Sequence, residues 1–493
     1  MKRQVVTLGM ANIADFTVQL LTPIVLVRVL DETGFGSYRL LWLVAATLLA
    51  IVPLGMPASL LYFLPRHDLR GQAVFVRQTL FYMAAAAALS ALALSPWNPF
   101  LPDSLRTMAG ADFSAPLFCA LWAFSSVLDV LPNAERRIEF QAGLIFGLAL
   151  LRAGAVIAAA LLGGIDAVIG VLALVATTKG LLLLVISTTR YGWHLWVGGL
   201  SRWLEHAKYA LPVGANAAVN LLSQRADHWL VVALFGSVQY GVYSIGAAAL
   251  AVGGVMRAAV TSVIFPEMSK AEAAGDLAKV LSLNKRSNVA CVLFVVPVLV
   301  FLFAAASPLV RLIYTDVYAG AIPVVRLNVV AFLIPIVEMS TVVLVLRQGP
   351  FFLRMNTVAL IVGLLASYAG SQLGGMPGAA VGVIAANLFG TCVSYARAAR
   401  LLVLPVSALQ EWRTIARIGA AAIIAGMATY ITLLLLPPAL SHGLAIMIST
   451  AVFCCTYLPS LVGLGQWGLV ARVLALPPDF PHQLRKRLGN IVR

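Results

Sequence analysis

The stretch Leu30–Leu43, LDETGFGSYRLLWL, recurs in outline as Leu234–Ala247, LFGSVQYGVYSIGA. Each stretch follows a long apolar segment, contains Gly-x-Tyr and opens the next apolar segment. The offset is 205 residues both for Gly36, which recurs as Gly241, and for the tyrosine two positions later. Chance is one explanation, because Gly and Tyr are common at membrane interfaces. The second explanation is a chain built from two similar halves, and it is favoured because the hydropathy of the segments on both sides of the two stretches also matches.

The composition is that of a membrane-embedded chain. Of its 493 residues, 61% are hydrophobic and only 11% are charged, whereas soluble domains carry about 25% charged residues. Apolar segments of roughly 20 residues, each long enough to cross a bilayer, take up the whole length and exclude a sizeable soluble domain. We therefore attribute the net charge of +15 to orientation in the membrane and attraction to anionic lipid, and not to nucleic acid.

Hydropathy predicts an all-α polytopic fold with about 14 transmembrane helices. The predicted spans cover residues 7–29, 40–63, 74–95, 114–132, 139–162, 165–188, 207–234, 240–264, 289–310, 320–346, 352–371, 377–399, 414–437 and 443–464. If the N-terminus is cytoplasmic, alternation places twenty-five of the 34 Lys and Arg residues in inside segments. The five outside are Arg28, Arg39, Arg106, Arg311 and Arg326. This bias obeys the positive-inside rule and predicts that both termini are cytoplasmic.

Motifs for chemistry are missing from the sequence. It contains no Gly-x-x-x-x-Gly-Lys-Ser/Thr loop, no HExxH, no Gly-x-Ser-x-Gly and no Cys/His spacing typical of a metal site. The first of these motifs binds nucleotide phosphates, the second holds zinc and the third presents a nucleophilic serine. We therefore expect no enzyme activity, no catalytic residue, no metal and no cofactor, which leaves transport as the default function of a polytopic chain.

Polar residues line one face of a helix in each half. The two sets are Asn216, Asn220, Ser223 and Asp227 in the seventh span, and Asn12, Asp15, Gln19 and Thr22 in the first. At 100° per residue each set forms a stripe, which must face a cavity or another helix and not lipid. Hydrogen bonding between helices is the alternative. We predict that Asn216 and Asn220 bind substrate and that Asp15 and Asp227 couple transport to an ion.

Four basic residues lie at membrane depth: Arg152, Lys179, Arg225 and Arg257. Each costs at least about 2.5–3.5 kcal/mol on insertion, so each needs a partner or a wet cavity. Guanidinium groups bind phosphate bidentately and ammonium binds it as a point charge, so the four predict a binding site for an anionic substrate. The alternative is structural: Arg225 would pair with Asp15 or Asp227, and Lys179 would extend to the interface.

The chain resembles the polysaccharide transporter (Wzx-type) flippases of the multidrug/oligosaccharidyl-lipid/polysaccharide exporter superfamily. The resemblance covers most of spans one to twelve. The matching residues are Gly34, Gly36, Tyr38, Gly55–Arg66 (GMPASLLYFLPR), Pro212, Asn220, Asp227, Gly241, Tyr243 and Ser244. The first span departs from the lipid II flippase branch, because it carries Asp15 where that branch has arginines. This departure argues against a peptidoglycan-precursor role.

The resemblance implies two six-helix bundles, arranged as parallel repeats around a central cavity, plus two C-terminal helices. The corresponding segments are an N-terminal bundle (1–199), an interfacial linker (200–206), a C-terminal bundle (207–405), an extra helix pair (406–465) and a basic amphipathic cytoplasmic tail (466–493). The implied location is the bacterial inner membrane.

The implied function is translocation of polyprenyl-pyrophosphate-linked oligosaccharide for cell-surface polysaccharide (O-antigen, capsule or exopolysaccharide) by alternating access. The expected partners are this lipid-linked oligosaccharide, membrane lipids, a proton or sodium ion, and polysaccharide polymerase and export proteins. Two alternatives stay open. One is a drug or small-molecule exporter of the same superfamily, against which the basic residues argue. The other is a membrane-embedded glycan polymerase, against which the short, poorly charged outer loops argue.

Overall fold

The structure is a computed structural model that describes residues 2–102, 105–106, 113–192, 198–437, 439–466 and 468. Throughout these residues the regular structure is helical and contains no strand, which confirms the all-α prediction. The helices are α1 (Lys2–Val29), α2 (Glu32–Ile51), α3 (Met56–Phe63), α4 (Leu69–Ala93), α5 (Ser114–Ser125), α6 (Leu131–Ala134), α7 (Ile138–Tyr191), α8 (Leu200–Ala273), α9 (Leu277–Ala304), α10 (Ala306–Tyr314), α11 (Ala321–Leu333), α12 (Ser340–Val345), α13 (Gly349–Gly378), α14 (Val381–Leu402), α15 (Trp412–Leu435) and α16 (His442–Gly463).

Eleven stretches within the described residues are helical, long and apolar enough to cross a membrane, which confirms a polytopic membrane protein. Helices α7 and α8, with 54 and 74 residues, far exceed the length of about 20 residues that one crossing needs. Gly164 (φ 66°) interrupts α7 and Gly236 (φ 79°) interrupts α8. Each break lies between two predicted spans. Glycine occupies both positions because it adopts a positive φ without strain. The exact count of 14 spans stays a prediction.

The described residues divide into two compact units. The first comprises the chain up to Ser244 together with Gly374–Ala379, and the second comprises Ile245–Leu373 together with the chain from Ala380. In the first unit α1 packs on α7, and α5 packs on α4 and α7. In the second unit α15 packs on α9 and α16, and α11 packs on α14. The predicted bundle boundaries at 199 and 405 stay predictions.

The linker and the tail are two further predicted segments. The linker at 200–206 forms the first turns of α8 and continues without a break into the span that follows. Its His206 is fully buried and lies 2.5 Å, Nε2 to Oγ, from Ser59 of α3. The predicted tail at 466–493 lies outside the described residues except for positions 466 and 468.

The two copies of Gly-x-Tyr contact one another within the first unit. A Cβ atom on Gly36 would lie 2.6 Å from the carbonyl oxygen of Ser237, and one on Gly241 would lie 3.0 Å from the Cα of Gly36. Three residues further along each copy, Arg39 Nε donates to Ser244 Oγ at 2.7 Å, again across 205 residues. Glycine is therefore required at the crossing, because any side chain would push the two backbones apart.

Candidate functional site

A cavity of about 340 Å³ lies inside the first unit. Helices α1, α2, α5, α7 and α8 all contribute to its wall. The lining residues are Gln19, Thr22, Pro23, Tyr38, Arg39, Trp42, Leu43, Ala46, Leu49, Trp122, Arg152, Ala153, Val156, Arg225 and Tyr240. The polar stripe of the first span thus reaches the wall through Gln19 and Thr22.

One arginine on the wall is neutralised by a carboxylate from the first span. Arg152 Nη2 lies 2.9 Å from Asp15 Oδ1, and Gln19 Nε2 donates to Asp15 Oδ2 at 2.7 Å. The carboxylate is therefore held on both oxygens, and the ion pair joins α1 to α7. This resolves one alternative: Asp15 pairs with Arg152 and not with Arg225.

The other two arginines on the wall have no such neutralisation. Arg39 donates through Nε to Ser244 Oγ at 2.7 Å and through Nη2 to the Ser244 carbonyl at 3.4 Å, both of which are uncharged acceptors. The half-buried Arg225 forms neither a hydrogen bond nor an ion pair with the residues that the structure describes. With three guanidinium groups and one carboxylate, the cavity has an excess of positive charge.

Four aromatic residues also line the cavity: Tyr38, Trp42, Trp122 and Tyr240. The rings of Trp42 and Trp122 meet edge to face with centroids 5.4 Å apart. The guanidinium carbon of Arg152 lies 5.5 Å from the centroid of each ring. Cation–π contacts of this kind fix the position of the arginine side chain, in addition to its ion pair with Asp15.

Asp227 is buried beside the cavity and does not line it. Its Oδ2 accepts a hydrogen bond from Tyr243 at 2.5 Å, and His228 Nε2 lies 4.0 Å from the same oxygen. His228 Nδ1 in turn lies 3.2 Å from the hydroxyl of Tyr240, which is on the wall. A chain of polar groups therefore leads from the cavity to a buried carboxylate.

The structure holds Lys179 in an ion pair next to the cavity. Lys179 Nζ lies 2.8 Å from Asp129 Oδ2 and 4.5 Å from the ring centroid of Trp122. Its ammonium thus packs against a ring that lines the cavity, although Lys179 itself is not on the wall.

Arg257 belongs to a separate cluster in the second unit. Arg257 Nη2 lies 2.7 Å from Glu338 Oε1, and Nη1 donates to Asn288 Oδ1 at 3.0 Å and to the backbone carbonyl of Ile336. Glu338 also accepts from the backbone of Thr341 at 2.9 Å. The guanidinium donates to three protein acceptors, one of them a carboxylate, so the geometry indicates a structural contact.

Asn216 and Asn220 lie on an exposed part of α8 and not on the cavity wall. Asn220 Oδ1 accepts a hydrogen bond from Gln224 Nε2 at 2.9 Å. The stripe to which they belong passes from exposed residues to the buried Asp227 along the same helix.

A family model described as "Polysaccharide biosynthesis protein" matches residues 25–323, more than half of the chain. The chain belongs to the polysaccharide biosynthesis protein family. This confirms the resemblance noted in the sequence. No curated protein matches the chain significantly.

The fold of this family member is similar to the folds of several solved transporter structures. The lipid II flippase MurJ in an inward closed conformation has a TM-score of 0.72 at 12% identity, covering 94% of this chain and 99% of its own. An inward-facing multidrug resistance MATE family transporter has a TM-score of 0.60 at 18% identity, covering 80% and 95%. A MOP superfamily transporter from Pyrococcus furiosus is described as having a binding pocket of reverse polarity. It has a TM-score of 0.54 at 16% identity, covering 83% of this chain and 96% of its own.

Sequence reasoning missed Arg39 and the two tryptophans of the cavity. The predicted second span begins at residue 40 and leaves Arg39 in an outside segment, whereas α2 begins at Glu32. A signal was present: Arg39 directly follows Tyr38 and is aligned by the repeat with Ser244. Among the described residues no group of three or more His, Cys, Asp or Glu side chains is placed to hold a metal ion.

Replacing Arg257 by glutamine is expected to lower the stability of the purified protein strongly. It would leave Glu338 buried without its cation, and breaking such a pair costs about 3–5 kcal/mol. The matched control is Arg311→Gln, since Arg311 pairs with Asp316 at 2.5 Å but both side chains are exposed; the loss there should be below about 1 kcal/mol. Thermal unfolding in detergent measures both, and equal midpoints for the two variants would contradict a structural role for Arg257.

Proposed function

We propose that this protein is a flippase that moves polyprenyl-pyrophosphate-linked oligosaccharide across the bacterial inner membrane by alternating access, for cell-surface polysaccharide. The observation that carries the proposal is the cavity of the first unit, where three arginines meet one carboxylate. Family membership in polysaccharide biosynthesis and the transporter fold support it. Both termini are proposed to be cytoplasmic, in keeping with the distribution of basic residues.

The charge of the cavity suits a pyrophosphate. Asp15 offsets the charge of Arg152, which leaves the equivalent of two positive charges from Arg39 and Arg225. A pyrophosphate diester carries two negative charges at neutral pH, and each guanidinium presents parallel N–H groups that match a phosphate oxygen pair. Such contacts are stronger in a protein cavity of low dielectric than in bulk water.

The aromatic residues suit the sugar that follows the pyrophosphate. The rings of Trp42, Trp122 and Tyr240 present apolar faces on the wall, against which the C–H faces of a sugar ring can pack. The amide of Gln19 and the hydroxyl of Thr22 supply hydrogen bonds for sugar hydroxyls. Asn216 and Asn220 are proposed as further sugar contacts, since both are exposed along α8.

Two carboxylates are proposed to couple transport to a proton or a sodium ion. Asp15 would exchange its partner Arg152 for the ion, which would release the arginine to the substrate. Asp227 reaches the cavity through His228 and Tyr240. Lys179 and Arg257 are proposed to position neighbouring groups, because each is already paired with a carboxylate.

Deleting the gene tests the proposal directly. We expect lipid-linked oligosaccharide to accumulate on the cytoplasmic leaflet, where an added glycosidase or periodate reaches it in inside-out vesicles but not in intact spheroplasts. Surface polysaccharide should be lost and should return with a plasmid copy. Unchanged surface polysaccharide, together with a gain in sensitivity to cationic drugs, would show instead a drug exporter of the same superfamily.

A further inference from the structure

Arg326 of α11 lies between two aromatic rings of the second unit. Its guanidinium carbon is 5.7 Å from the ring centroid of Phe303 in α9 and 5.8 Å from that of Tyr430 in α15. Both rings are partly exposed, 40% for Phe303 and 43% for Tyr430. The cation is therefore held at the surface of the unit, where three helices meet.

No protein group neutralises this arginine within the part of the chain that the structure describes. Its Nε is buried and has no hydrogen-bond partner, and no carboxylate forms an ion pair with it there. Arg152, Lys179 and Arg257 each have a carboxylate within 2.9 Å. Arg225 also lacks one, but it faces the cavity of the first unit. An unpaired cation in an apolar helix is costly, so Arg326 indicates an anion that is supplied from outside the chain.

The position along the helices corresponds to the level of lipid headgroups. Phe303 is one residue before the end of α9, Tyr430 is five before the end of α15, and Arg326 is five after the start of α11. At 1.5 Å per residue, none of the three is more than about 8 Å from a helix end. Aromatic side chains collect at this depth, and phosphate groups of lipids lie just above it.

We propose that Arg326, Phe303 and Tyr430 form a binding site for the phosphate of an anionic phospholipid. The guanidinium binds the phosphate bidentately, and the rings keep its plane in place while the acyl chains lie along the apolar surfaces of α9 and α15. A zwitterionic phospholipid carries its own cation next to the phosphate and competes less well. The site is independent of the proposed transport cavity, because it lies in the other unit.

Native mass spectrometry of the delipidated full-length protein tests this site with two defined lipids, phosphatidylglycerol and phosphatidylcholine. We expect tighter retention of phosphatidylglycerol, and we expect Arg326→Gln to weaken it about tenfold, the effect of one lost charge-assisted contact. The matched control Arg311→Gln removes the same charge from an exposed residue that already pairs with Asp316, and should retain the lipid as the wild type does.

A second variant distinguishes loss of the lipid site from misfolding of Arg326→Gln. Phe303→Leu together with Tyr430→Leu keeps the charge but removes the two rings, and should weaken retention of phosphatidylglycerol by a few fold. The proposal is overturned if Arg326→Gln and Arg311→Gln retain phosphatidylglycerol equally. It is also overturned if Arg326→Gln loses only an added polyprenyl phosphate, which would assign the arginine to the carrier lipid.

Discussion

Replacing Arg225 by glutamine is expected to abolish most glycan export while leaving the protein folded. Arg225 lines the cavity and has no partner in the described chain, so its loss removes a substrate contact without exposing a buried carboxylate. One charge-assisted contact contributes about 1.5–3 kcal/mol, which corresponds to at least about a tenfold loss in substrate binding. Surface polysaccharide in a complemented deletion strain measures the effect, and size-exclusion chromatography checks the fold.

Two further variants make that result specific. Arg70→Gln removes an exposed charge outside the cavity and should export normally. Arg225→Lys keeps a positive charge but only as a point charge, so it should restore part of the export. Normal export by Arg225→Gln, at wild-type protein levels, would rule out the cavity as the anion site.

Replacing Gly214 by alanine is expected to destabilise the protein more than any single exposed substitution. A Cβ atom there would lie 2.1 Å from the carbonyl carbon of Leu54 and 2.4 Å from the nitrogen of Gly55. These are backbone atoms in a turn where both residues already have positive φ, 42° and 77°, so the chain has little room to yield. Overpacking typically costs about 1–3 kcal/mol and occasionally more, and thermal unfolding in detergent will measure the loss.

Gly9 supplies the matched control, since it occupies the equivalent position of the first half, 205 residues earlier. No atom of a neighbouring element lies within 4 Å of a Cβ built on Gly9. Alanine there should leave stability unchanged or raise it slightly, because it favours helix by about 0.5–1 kcal/mol. Similar losses for Gly9→Ala and Gly214→Ala would mean that glycine is needed for helix flexibility and not for the close approach.

Most of the helices could be predicted because the hydropathy of a segment and the position of its glycines are properties of neighbouring residues in the sequence. Gly163 and Gly164, where α7 is interrupted, separate the predicted spans 139–162 and 165–188, and Gly236 lies between the predicted spans 207–234 and 240–264. Boundaries failed where polar residues continue a helix: the second span begins at Glu32 and not at residue 40. There Asp31 caps the helix by accepting from Gly34 at 2.9 Å, which average hydropathy does not detect.

The site was predictable in its residue types and less so in its pairings. The sequence predicts Arg152 and Arg225 as site residues because a charged side chain at membrane depth requires a partner or a wet cavity, and the structure places both on the wall of one cavity. Their partners depend on helix packing: Asp15 and Arg152 are 137 residues apart. Arg257 satisfied the same criterion but is held by Glu338 in the other unit. A sequence shows which residues require a partner but not which partner the fold supplies.

The pairing of Asp15 with Arg152 has a consequence for the synthesis of the protein. Asp15 leaves the ribosome first, and 137 residues must follow before its partner appears, which takes about 7–27 s at 5–20 residues per second. During this interval the first helix carries an uncompensated carboxylate, while three further membrane-length segments are made, Glu32–Ile51, Leu69–Ala93 and Ser114–Ala134. We therefore expect the insertion machinery either to keep α1 out of contact with lipid or to delay its insertion until Arg152 of α7 can neutralise Asp15.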